Sequence, residues 1–135
     1  DPAAAQAGLE AALPLYRGGL LDEPFFEPFF HAERERLRRQ AVDALAWLYD
    51  RYAYLGDEQA ARGCLERGSA IAPCDDDVAQ LALRHFALRR EPERVRTAYW
   101  DHRKALHRLL GLAPSAAVES AYREALALAE ARPTT

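Results

Sequence analysis

An all-α fold, a right-handed stack of antiparallel helix hairpins with about six helices, is what this sequence predicts, and three observations predict it. Half of the 135 residues are hydrophobic and 29% are charged, and the bulk of both sets are strong helix formers: Ala, Leu, Arg and Glu. The β-branched aliphatic residues are only Val42, Val78, Val95, Val118 and Ile71, too few and too rarely alternated with polar ones to build a sheet. Residues 42–75 also read as one complete helix–turn–helix repeat of 34 residues, and 76–110 repeat its apolar spacing in the same register.

That period is the tetratricopeptide length, at which paired helices stack because one pair alone leaves its apolar face uncovered. Leu45, Leu48 and Tyr52 supply the inward face of a first helix, Leu55-Gly56-Asp57 the turn, and Ala61, Leu65 and Gly68 the facing side of a second helix that Pro73 ends. In the second copy Phe86 takes the place of Tyr52, Val95 that of Ala61 and Tyr99 that of Leu65, with Arg90-Glu91 where the first copy has Gly56-Asp57. Two repeats need caps, so the domain is expected to comprise an N-terminal cap (1–28), a first full repeat (42–75), a second repeat (76–110) and a C-terminal capping helix (115–132).

Taken in order, Asp1-Pro2 is an N-cap with proline at the first helical position, and the first helix is expected to reach Tyr16 with Leu9, Leu13 and Tyr16 on one face. Arg17 to Pro24 carries two glycines and a proline and reads as a loop. Phe25, Phe26, Phe29 and Phe30 read as an aromatic plug over the first repeat rather than as an exposed patch. From about Phe29 to Leu55 the apolar residues recur at helical spacing, making the longest helix, with Glu35 expected to meet Arg39 one turn on. Asp57 caps the next helix, which ends near Ala72 before Pro73. Asp75-Asp76-Asp77 place three acids at a helix start, where the macrodipole favours them; a calcium loop needs oxygen ligands alternating through twelve residues around a glycine, which Val78 and Ala79 interrupt. Helices over 77–89 and 93–110 follow, Gly111 supplies a left-handed stop, and Ser115 with Glu119 is spaced to cap the last helix, 116–131.

A formal charge of −3 argues against a duplex-binding surface, which needs clustered positive charge. Of 18 basic residues only Lys104 is lysine, a bias read as codon composition. Cys64 and Cys74 read as packing residues in a reduced, cytoplasmic protein; no signal peptide or membrane span is evident. The sequence holds no methionine and is expected to be part of a larger protein.

The four histidines, His31, His85, His102 and His107, show no i, i+4 pair that would aim two imidazoles at one metal, and read as surface positions on amphipathic helices. Ser69, Ser115 and Ser120 lie in no triad-like context, and no glycine loop for phosphate or nucleophile elbow occurs. No catalytic, cofactor-binding or metal-ligating residue is assigned. Trp47 and Trp100 read as core.

The segment Leu15 to Leu21, followed by acids and aromatics and then Ala32-Glu33-Arg34-Glu35-Arg36-Leu37, closely resembles the opening of the bacterial transcriptional activator domain. The likeness continues through Leu55-Gly56-Asp57, Ala70 to Pro73, Ala98-Tyr99 and Gly111 to Ser115. It implies a tetratricopeptide-like domain of a cytoplasmic transcription regulator that acts by contact, its DNA-reading helix lying upstream. Two departures stand out: that family has a tryptophan near Phe29-Phe30, and Gly-Asp in the second turn where this chain has Arg90-Glu91. If the repeat likeness extends to ligand use, the partner groove is lined by Asp43, Asp50 and Tyr54 on one first helix and by Asp77, Gln80 and Arg84 on the next, with a polypeptide segment or neighbouring domain as ligand; solvated positions with no ligand are the alternative.

The leading functional expectation is a regulatory and interaction domain of a bacterial transcription activator. It would work with a winged-helix DNA-binding domain absent from this fragment, and contact other domains of that regulator, a second copy of itself or RNA polymerase, with no cofactor, no membrane and no direct nucleic acid contact. A free-standing repeat adaptor that binds a partner's peptide and a small-molecule-sensing helical domain remain open beside it.

Overall fold

A computed structural model describes residues 1–13 and 31–131; the four phenylalanines, Tyr16 and the tail from Arg132 lie outside the described residues. Among the described residues there are six helices and no strand: α1 (Pro2–Ala12), α2 (His31–Leu55), α3 (Glu58–Ile71), α4 (Asp76–Leu88), α5 (Pro92–Leu110) and α6 (Ala116–Glu130). The chain divides into two compact units, Asp1–Ala72 and Pro73–Thr135.

In the first unit α2 packs along α3, and α1 lies on α2. Asp1 accepts from the Ala3 amide at 3.1 Å, satisfying an amide that the first turn leaves without a helical partner. The helix ends at Ala12, and Leu13 just beyond it is buried. Ala41, Val42, Leu45, Leu48 and Tyr49 of α2 meet Ala61, Cys64 and Leu65 of α3 in the interior. A polar cluster fastens α1: Arg51 Nε donates to Gln6 Oε1 at 3.1 Å, and Gln6 Nε2 to Glu10 at 2.8 Å. Burial, then a hydrogen bond to Glu10, push the Tyr52 phenol up to about 12, and the same bond, joined by Gln6, lowers the Glu10 carboxyl. Along the start of α2 the exposed charges pair differently from expectation. Glu35 takes Arg38, and Arg39 reaches forward to Asp43 at 3.1 Å. Such solvated i, i+3 and i, i+4 pairs differ by only a few tenths of a kcal/mol, so spacing alone does not choose among them.

In the second unit α4 packs on α5 and α6, and α5 on α6. Ala79, Leu83, Ala87, Val95, Tyr99, Val118, Ala125 and Ala129 form its core. Tyr99 stacks on Tyr122, ring centroids 3.9 Å apart and planes 8° from parallel. Its hydroxyl donates to Glu119. That contact explains why the anticipated capping box is absent: Ser115 caps α6 by accepting from the Val118 amide at 3.2 Å, whereas Glu119 is one position too late to reach back and faces Tyr99 instead. Asp75 caps α4, accepting from the amides of Asp77 and Val78.

The turns between α2 and α3 and between α4 and α5 are built alike, thirty-four residues apart. Gly56 donates its amide to Ala53 and Asp57 to Tyr52; Arg90 donates to Ala87 and Glu91 to Phe86. Each set is a Schellman closure, which needs a left-handed residue just past the helix. Gly56 supplies φ +76° and Arg90 φ +58°. A non-glycine side chain in that region costs about 1–2 kcal/mol. Arg90 offsets the cost with its side chain, because Nη1 donates at 3.0 Å to the carbonyls of both Leu128 and Ala131. These carbonyls lie at the end of α6, at the negative end of its dipole; that of Leu128 also accepts from the Ala131 amide at 3.3 Å. Arg96 adds a second clamp through Glu130. Glu91, unlike Asp57, makes no side-chain cap bond; Pro92 at the first helical position fixes the start of α5 in its place.

Candidate functional site

α2 buries the arc that carries Ala41, Leu45 and Leu48, with Tyr52 half-buried at its end, so residues about half a turn away face outward. Asp43, Asp50 and Tyr54 do so, Tyr54 with 83% of its surface exposed. Trp47 lies among them at 38% exposure, completing a stripe at positions i, i+4, i+7 and i+11. Its assignment to the core is therefore corrected: Leu45 and Leu48 take the inward directions, and an indole between them in sequence is turned to the side of the helix. The signal was available, since Trp47 is one turn from both Asp43 and Asp50.

On α4 the outward face carries Asp77, Arg84 and Leu88, with Gln80 half-buried at its flank. Leu88, 64% exposed, occupies the position of Tyr54 one repeat later, and sequence reasoning passed over it as well. The six residues singled out from the sequence thus fall into two sets of three, one on each unit, each set sharing a helix face and each accompanied by an exposed apolar side chain. Trp100 on α5 is likewise exposed, at 48%, because its neighbour Tyr99 takes the inward direction. The Arg103 guanidinium lies 4.9 Å from the centre of its indole, a cation–π contact.

Two histidines are interior rather than surface groups: His85 is 4% and His102 5% exposed. His102 stands three and four residues from the buried Tyr99 and Leu106, which spacing alone could have shown; His85 lies two residues from Leu83 and Ala87, off the arc they share, and has no such signal. His102 belongs to a junction of three helices. Ser115 Oγ donates to Asp76 Oδ2 at 2.7 Å, while Asp76 Oδ1 is 3.9 Å from His102 Nε2. The order is serine, aspartate, histidine. A nucleophilic serine needs the imidazole beside its hydroxyl to take the proton; here the carboxylate stands between them, and Ser115 Oγ is engaged as the α6 cap. The junction ties the starts of α4 and α6 together.

Burial pushes the Cys64 thiol up to about 11 and also raises that of Cys74. Neither is a thiolate at neutral pH, the form that attacks or binds metals. Among the described residues no group of three or more His, Cys, Asp or Glu side chains is placed to hold a metal ion, and no helix is long and apolar enough to cross a membrane. What the described surface offers is contact chemistry: rings and carboxylates along α2, rings and guanidiniums along α5.

A family model described as bacterial transcriptional activator domain matches residues 1–126. No curated protein and no solved structure matches the chain.

Proposed function

Because this chain belongs to the bacterial transcriptional activator domain family, a helical tetratricopeptide-like and regulatory family, we propose that it is the interaction domain of a bacterial transcription activator. It works with a winged-helix DNA-binding domain supplied outside these 135 residues, in the cytoplasm, and acts by binding rather than by chemistry. Its partners are the other domains of the same regulator, a second copy, or RNA polymerase. The contact residues are Asp43, Asp50 and Tyr54, joined by Trp47, with Asp77, Gln80 and Arg84 as a second set. The domain organisation of an N-terminal cap, two repeats divided near residue 75 and a capping helix belongs to the same proposal; the recurrence of the Schellman turn after thirty-four residues supports it.

The observation that carries the reading is the outward stripe of α2. Two aromatic rings and two carboxylates alternate on one exposed face. Aromatic residues are enriched among the anchors of protein interfaces, and charged neighbours select the partner. The test is retention of purified RNA polymerase, and of the regulator's remaining domains expressed separately, on the immobilised chain. A double Trp47→Ala, Tyr54→Ala variant should lower retention at least tenfold. Equal retention by the variant, or none by the wild type, contradicts the reading.

A further inference from the structure

The stripe on α2 has a counterpart of opposite charge elsewhere on the same chain. On α5, Arg96, Trp100, Arg103 and His107 follow one another at i, i+4, i+7 and i+11, the spacing of Asp43, Trp47, Asp50 and Tyr54. Both stripes lie away from their cores: Trp100, Arg103 and His107 are exposed and Arg96 is half-exposed. Laid side by side in parallel, the two sequences set Asp43 against Arg96, Trp47 against Trp100, Asp50 against Arg103 and Tyr54 against His107. Asp50 meets Arg103 and every ring meets a ring; Asp43 and Arg96 also keep pairs within their own units, with Arg39 and with Glu93 and Glu130.

We propose that the α2 stripe of one molecule docks on the α5 stripe of a second copy of this chain. The proposal rests on the reading of the outward α2 face as a contact surface, and it names the occupant. In the same parallel register two α2 stripes bring carboxylates together and two α5 stripes bring guanidiniums together, so charge disfavours like-with-like pairing there; unlike faces attract. Eleven residues of helix span about 16 Å, on a helix about 10 Å wide. One such contact is smaller than the roughly 1,200–2,000 Å² of total buried surface in a standard stable interface, so the association is weak, of micromolar or weaker affinity, and salt-sensitive. Two reciprocal contacts close a twofold dimer, and single contacts in succession give a longer chain.

Sedimentation velocity on the 135-residue chain, from about 10 µM to about 1 mM, tests this. The wild type should associate as concentration rises, and the association should weaken severalfold when salt is raised from about 50 to 500 mM. Asp50→Arg alone and Arg103→Asp alone should each weaken it at least tenfold. Mixed together they should associate again, because the unchanged α5 stripe of the first variant meets the unchanged α2 stripe of the second, and in the reciprocal contact the introduced arginine meets the introduced aspartate. Both substitutions are at exposed sites, and circular dichroism verifies that the variants are folded. A wild type that stays monomeric throughout, single variants that associate like the wild type, or a mixture no better than either variant alone, overturns the proposal. A monomer that still retains polymerase through Trp47 and Tyr54 would sink the self-pairing while leaving the proposed function intact; loss of that retention effect would sink the latter.

Discussion

Arg90 gives the most discriminating test of how the second unit is assembled, because two opposed contributions meet in one residue. Its backbone lies at φ +58°, where glycine is favoured over a side-chain-bearing residue by about 1 kcal/mol. Its guanidinium donates to the Leu128 and Ala131 carbonyls at 3.0 Å each. A cation at an exposed helix C-terminus stabilises by about 0.3–1 kcal/mol, and two hydrogen bonds at a solvated site bring the sum to about 1 kcal/mol. Arg90→Ala keeps the strain and loses the clamp, so it should destabilise by about 1 kcal/mol, a fall in Tm of about 4–8 °C for a unit of this size. Arg90→Gly loses the clamp and relieves the strain, so it should be near neutral. Gly56→Ala should cost about 1 kcal/mol, with no clamp involved. Urea titrations followed by circular dichroism measure all three. Equal stability of the Ala and Gly variants would refute the strain, and an Arg90→Gly chain more stable than wild type by a full kcal/mol would refute the clamp.

Further outcomes follow from the same contacts. Ser115→Ala should cost more than Asp57→Ala, about 1–2 against about 1 kcal/mol, because Ser115 both caps α6 and donates to Asp76; denaturant midpoints compare them. Leu83→Ala, in the core of the second unit, should cost about 2–5 kcal/mol by the same measurement. The raised Tyr52 and Cys64 groups bind protons more tightly folded than unfolded. Their contribution is fully present below the unfolded values near 10 and 9, and is lost as pH rises toward 12 and 11; Tm should fall across that window, and a flat profile would contradict it. At neutral pH Cys64 should resist a thiol reagent until the chain unfolds, whereas rapid labelling in the folded state would contradict its burial.

The helices were legible because periodicity and end signals agree: Asp1-Pro2, Asp57, Asp75, Ser115 and Gly111 each mark a boundary by a mechanism that needs only local sequence. Side-chain direction beyond the inward face was less legible. Trp47 and Trp100 read as core by residue type, yet the inward directions beside them are taken by Leu45, Leu48 and Tyr99. His85 and His102 read as surface by type; the place of His102 on the inward arc of α5 decided otherwise, whereas His85 is buried off the arc of Leu83 and Ala87, where no local spacing reports it. The pairing of Arg90 with the end of α6, thirty-eight and forty-one residues away in sequence, was invisible because nothing local reports it; the sequence showed only that a glycine was missing. The candidate contact positions Asp43, Asp50 and Tyr54 followed from helix period alone, whereas their aromatic companion required knowing which way the indole turns.

The central claim is that this domain serves transcription through the outward face of α2. Fusing the chain to an unrelated operator-binding domain and reading a reporter gene in bacteria tests it most directly. The account predicts activation by the wild-type fusion and its loss with Trp47→Ala and Tyr54→Ala together, at matched protein level and matched Tm. Activation that persists undiminished in that double variant would contradict it.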